Sequence, residues 1–161
     1  QVMEKIQRAV DLGATTVLAR RTLEAPGPYD RARDRVVAAV GGSAVAGRDE
    51  ATALGIAGYF AGIYGARDDY QRATKKIVIE QILRDHQLNG AEFVAFGDGH
   101  VEIENTKSAG GLAVGVATNE AERRGVNAWK RERLIRAGAD VIVPDFRQHA
   151  ELMAYLFAEE E

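Results

Sequence analysis

The sequence predicts an α/β fold with a mostly parallel sheet between layers of helices. Three observations carry this. From residue 74 onward the patterns alternate: helix, strand, helix, strand, helix, strand, helix. Alternation of that kind needs crossover connections, which generate a parallel sheet covered on both faces. The strands of this half are short apolar runs, Phe93-Val94-Ala95-Phe96, Leu112-Ala113-Val114-Gly115-Val116-Ala117 and Val141-Ile142-Val143, the pattern of buried strands. Finally, 161 residues at 46% hydrophobic and 28% charged suffice for one soluble domain with a real core.

Taken in order, residues 1–12 place apolar side chains at helical spacing and stop at Gly13. Residues 14–19 are β-rich and predict a strand. A polar stretch with Pro26, Gly27 and Pro28 reads as a loop, and 30–34 as a turn of helix. A second strand is expected at 36–40, ending in Gly41-Gly42-Ser43, then a helix over 44–54 stopped by Gly55. A short strand is expected near Ile63, and a charged turn at 67–70. An amphipathic helix over 74–86 aligns Ile77, Val78, Ile82 and Leu83 on one face. After the strand at 93–96 come a helix over 101–109, a strand at 112–117, a helix over 128–137, a strand at 141–143 and a helix over 145–157. The second half is much better patterned than the first.

Composition narrows the function. A net charge of -3 gives no basic field for nucleic acid. No apolar run reaches the roughly 20 residues that span a bilayer, and charges interrupt the start where a signal peptide would lie. The chain has no cysteine, which excludes disulfides and thiolate metal sites and suits a cytoplasmic protein.

The chemistry concentrates at Phe96-Gly97-Asp98-Gly99-His100-Val101-Glu102. An acid at the carboxyl end of a buried strand, in a glycine turn, lies where open α/β sheets bind ligands. Asp98 and Glu102, four residues apart, can converge on a hard cation such as Mg²⁺. Alternatively Asp98 caps the following helix and Glu102 is a solvated acid favoured by the helix dipole. Lys75 and Lys76 open a helix, where a cation opposes the dipole. One of them reaches into an anionic site, or both are a solvated pair beside Asp68 and Asp69. Ser43 either donates to a phosphate at a strand end or caps a helix. His100 sits in the central turn, where it either touches a ligand or is a surface turn residue, and Trp129 reads as covering a helix face. Arg123, Arg124, Lys130, Arg131 and Arg133 read as a charged helix face balanced by Glu120, Glu122 and Glu132, not as a binding stripe.

Three segments together carry a family likeness. Thr74-Lys75-Lys76-Ile77-Val78-Ile79-Glu80, then 96–103 (Phe-Gly-Asp-Gly-His-Val-Glu-Ile), then 110–118 (Gly-Gly-Leu-Ala-Val-Gly-Val-Ala-Thr) resemble the haloacid dehalogenase (HAD) superfamily of hydrolases. The likeness runs over 50–157; residues 1–49 match poorly, and the whole chain is expected to be a single HAD-like core domain. The resemblance implies a Rossmann-like three-layer sandwich and Mg²⁺-dependent hydrolysis of a small phosphorylated metabolite through an aspartyl-phosphate. It implies that Lys75 holds the nucleophile and phosphate charge together, that Ser43 binds the phosphoryl group, and that Asp98 and Glu102 serve the metal. One departure is large: the family's nucleophile and acid/base form an Asp-x-Asp pair, and none occurs in this sequence. Three expectations stand open: a piece whose preceding segment carries that pair, in keeping with a start at Gln1; a non-catalytic member that binds an anion or a protein partner; or an altered first third. Substrate identity and oligomeric state are not legible.

Overall fold

The computed structural model describes residues 15–19, 36–66 and 74–156. The helix expected at 1–12, the loop and turn at 22–34, and the charged turn at 67–70 lie outside them. Among these residues the strands are β1 (Thr15–Ala19), β2 (Val36–Ser43), β3 (Gly62–Ala66), β4 (Phe93–Gly97), β5 (Leu112–Val116) and β6 (Val141–Val143). The helices are α1 (Ala44–Ala53), α2 (Lys75–Asp85), α3 (His100–Ser108), α4 (Ala128–Arg136) and α5 (His149–Leu156). The strands form one sheet in the order β3-β2-β1-β4-β5-β6.

Five strands run the same way. β2 pairs in parallel with β3, β4 with β5, and β5 with β6. β1, at the centre, is antiparallel to both neighbours, with Thr16 opposite Phe96 and Ala19 opposite Phe93. A parallel step from β1 to β2 would need a crossover, normally helical. Pro26, Gly27 and Pro28 make the intervening sequence a poor helix, so it suits a return connection instead. The carboxyl ends of the five parallel strands therefore share one sheet edge with the amino end of β1.

Side chains alternate along β4 and divide the core in two. Val94 and Phe96 join Val114, Val116, Phe146, Leu152, Met153 and Leu156 under α5, and Phe96 meets Phe146 edge to face at 5.7 Å. Phe93 and Ala95 point the other way, against Val78, Ile79 and Ile82 of α2. Ile103 and Leu134 seat α3 and α4 on that second face, and Ala51 seats α1 on Ala38 and Ile63. The result is the expected three-layer sandwich.

Some boundaries differ from expectation. β2 continues through Gly41 and Gly42 to Ser43, with a register irregularity that absorbs the glycine pair. In α2 the buried residues are Val78, Ile79 and Ile82, whereas Ile77 is exposed. The last helix begins at His149, not Asp145. The Asp145 carboxylate accepts from the backbone and side chain of Arg147, holding a turn there.

Candidate active site

At the shared edge β4 ends at Gly97 and α3 begins at His100. The turn between them needs close approach: a Cβ on Gly97 would sit 2.9 Å from Cβ of Glu102. Gly99 is the helix N-cap and no side chain caps α3, so Asp98 is not the capping residue that spacing allowed. Instead its carboxylate stands at the strand end, 42% exposed.

Glu102, in the first turn of α3, is buried. Its carboxylate pairs with the ammonium of Lys75, the first residue of α2. Thr74 caps α2 by accepting from the Ile77 amide, which fixes where the lysine emerges. Burial lowers the Lys75 pKa below the ordinary lysine value, against the attraction of Asp98. The pair also offsets the dipole penalty of a cation at this helix end. The exposed contact of the two lysines is Lys76 with Glu80, at 4.0 Å.

A second lysine enters from α4. The loop after β5 is closed by a bridge between Thr118 and Val126 and by the Asn127 amide donating to the Ala117 carbonyl at 2.8 Å. Asn127 then caps α4, its side chain accepting from the Lys130 amide at 2.9 Å. Lys130 extends back over the edge and donates to Glu120 at 2.6 Å and to Asp98 at 3.3 Å. Burial works to lower the Lys130 pKa, but its bonds to Glu120 and Asp98 outweigh this and raise it. Lys130 in turn holds the Glu120 carboxyl below its usual value.

Lys75, Asp98 and Glu102 thus come together at one point. Ser43 lies at the same edge but on β2, two strands away, with no contact to them. It is buried and caps α1, accepting from the Val45 amide at 3.2 Å. Its O–H has no acceptor among the described residues. Beside β4, where the resemblance calls for a nucleophilic acid at a strand's carboxyl end, stands the amino end of the reversed β1, Thr15 and Thr16 by register. No residue of β1 is acidic.

Sequence reasoning missed Lys130 and misplaced Trp129. Lys130 was grouped with the solvated face of α4. The available signal was its spacing from Leu134, four residues on, which points into the core. Trp129 is 66% exposed, and its ring meets the Arg133 guanidinium at 5.2 Å, not a buried helix face. His100 belongs to α3 rather than to a turn, and its Nδ1 lies 2.7 Å from the Arg133 guanidinium.

No group of three or more histidines or acids that could hold a metal ion occurs among the described residues. Glu102 is engaged by Lys75, which leaves Asp98 as the open acid. Its second carboxylate oxygen has no hydrogen bond among the described residues. One carboxylate meets the minimum for Mg²⁺, which keeps several waters and completes its shell with substrate phosphate.

The fold is similar to that of solved structures. A haloacid dehalogenase-like hydrolase from Streptococcus pneumoniae is similar at TM-score 0.54 and 24% identity, over 70% of this chain and 47% of that one. A predicted phosphatase from Clostridium acetobutylicum is similar at TM-score 0.58 and 19% identity, over 70% of this chain and 49% of that one. The chain has the haloacid dehalogenase-like fold. A HAD-like protein of unknown function from Agrobacterium tumefaciens aligns over 80% of this chain and 66% of its own, at TM-score 0.62 and 17% identity. The HAD-like chain thus spans about half the length of the first two. No protein-family model matches the sequence, and no curated protein does. No described helix is long and apolar enough to cross a membrane.

Proposed function

We propose that this chain carries the phosphate-binding and metal-binding residues of a HAD-type phosphohydrolase acting on a small phosphorylated metabolite in the cytoplasm. The observation that supports it best is the convergence of Lys75, Glu102 and Asp98 at the carboxyl edge of the parallel strands, on a HAD-like fold. Lys75 is a half-buried ammonium fixed by Glu102, preorganised to meet anionic oxygen without rearranging. Ser43 offers a hydroxyl proton from the same edge. Asp98 would hold Mg²⁺ with its free oxygen, and Glu102 would act on the metal site through Lys75. The bound ion would supply neutralisation of phosphate charge. The Lys130 ammonium would keep Asp98 oriented.

A second reading is favoured by one specific observation, the antiparallel β1. The HAD-type covalent route uses a carboxylate nucleophile, and the end of the strand beside β4 is Thr15, not an acid. On this reading the domain binds a phosphate-class anion without turning it over.

A phosphatase assay over a panel of phosphomonoesters with Mg²⁺, run on wild type and Asp98→Asn, separates the two. Phosphate release by wild type that falls at least ~100-fold in Asp98→Asn supports the hydrolase. Binding without release supports the second reading. Release that is indifferent to Asp98→Asn sinks the site assignment.

A further inference from the structure

We propose that Arg133, Trp129 and His100 form a second anion subsite beside Asp98, so that the preferred ligand is a phosphomonoester with a second anionic group. This rests on the phosphate reading of the Lys75 edge. Arg133 and Trp129 are four apart on α4 and share a face, with the guanidinium 5.2 Å from the indole ring. The same guanidinium lies 2.7 Å from Nδ1 of His100, two residues beyond Asp98. Lys130, next to Trp129 in the chain, reaches Asp98 itself. The wall from the strand end outward is therefore Asp98, Lys130, then the Arg133 group.

Two aromatic rings hold Arg133, and no carboxylate among the described residues pairs with it. This sets it apart from the other cations at this edge. Lys75 is matched by Glu102, and Lys130 by Glu120 and Asp98. One guanidinium nitrogen meets His100, and with no carboxylate partner among the described residues the remaining N–H donors are left for a carboxylate or phosphate, the groups a guanidinium binds best. Its placement beside a phosphate-directed lysine gives a ligand two anchoring points of like sign. Arg133 is then a specificity residue, outside the reacting centre.

The test uses two probes with one carbon skeleton, 3-phosphoglycerate and glycerol 3-phosphate, which differ by a carboxylate in place of a hydroxymethyl group. Calorimetry gives the affinities. Fluorescence of Trp129, the only tryptophan in the chain, reports occupancy of the subsite. Wild type is expected to bind 3-phosphoglycerate about tenfold more tightly or better, as a charge-assisted bond allows, and to show a Trp129 emission change that glycerol 3-phosphate does not produce. Arg133→Gln should bring 3-phosphoglycerate to the level of glycerol 3-phosphate, whose own affinity stays unchanged. Equal affinity of wild type for the two probes, or a preference that survives Arg133→Gln, overturns the subsite while leaving the phosphate site intact. No binding of either probe by wild type overturns both.

Discussion

Replacing Lys75 by Met probes the heart of the site. Met keeps most of the side-chain volume and removes the charge. The side chains of Lys75 and Glu102 are 29% and 10% exposed, so the pair sits between two known limits. Exposed pairs contribute about 0–1 kcal/mol, whereas breaking a buried pair costs roughly 3–5 kcal/mol because a charge is stranded. The carboxylate left behind is the better buried partner, which places Lys75→Met at about 2–3 kcal/mol. For a chain of this size each kcal/mol is worth roughly 2–4 °C, so the melting temperature should fall by about 5–10 °C. Glu102→Gln should also destabilise, since it leaves Lys75 without its counter-ion. The double variant strands neither charge and should lose about 1–2 kcal/mol less than the two single losses added together. Urea denaturation of the four proteins gives this cycle directly. Additivity within ~0.5 kcal/mol would show that Lys75 and Glu102 do not act as a unit, and the preorganisation argument would fail with it.

Two further outcomes follow from the geometry. Asn127→Ala removes the α4 cap and should cost about 1 kcal/mol in thermal or chemical denaturation; an unchanged midpoint would mean that the loop closure alone positions Lys130. The bonds from Arg147 hold the Asp145 carboxyl below its ordinary value. A depressed folded pKa stabilises above the unfolded value of about 3.9 and is lost as pH falls through the folded one. Asp145→Asn should therefore unfold at lower urea than wild type at pH 7, with the gap closing as pH falls below that range. A gap that is constant down to pH 2 contradicts the ion-pair origin.

Much of the architecture was legible because β4 and β5 are buried on both faces and, with the edge strand β6, spell unbroken apolar runs. Two of the helices, α2 before β4 and α4 between β5 and β6, carry their own caps, Thr74 and Asn127, which hydrogen-bond locally. The direction of β1 was not legible. A short β-rich run such as Thr15–Ala19 pairs either way, and its direction depends on a connection whose composition only disfavours a helix. The Asp145 turn escaped because Asp145 and Arg147 pair through side chains, which a helical hydrophobic pattern does not register.

The site divides along the same line. Asp98 and Glu102 announced themselves as acids flanking a glycine turn, but the partner of Glu102 lies on another helix and follows only from packing α2 beside α3. Lys130 was hidden more deeply. Its approach to Asp98 depends on a loop closed by the pairing of Thr118 with Val126, a contact no periodicity encodes. Arg133 reads in sequence as part of a charged face and Trp129 as a cover, because the contact of the guanidinium with Trp129 and His100 joins two helices.

The claim that this edge binds phosphate-class anions through Lys75 is shared by both functional readings. It is tested most directly by calorimetric titration of orthophosphate, with Mg²⁺ present, into wild type and into Lys75→Met at a temperature where both are folded. The account predicts saturable binding by wild type that weakens at least ~10-fold in Lys75→Met, the loss of a charge-assisted bond. Absence of saturable heat with wild type, or equal binding by the variant, would contradict it.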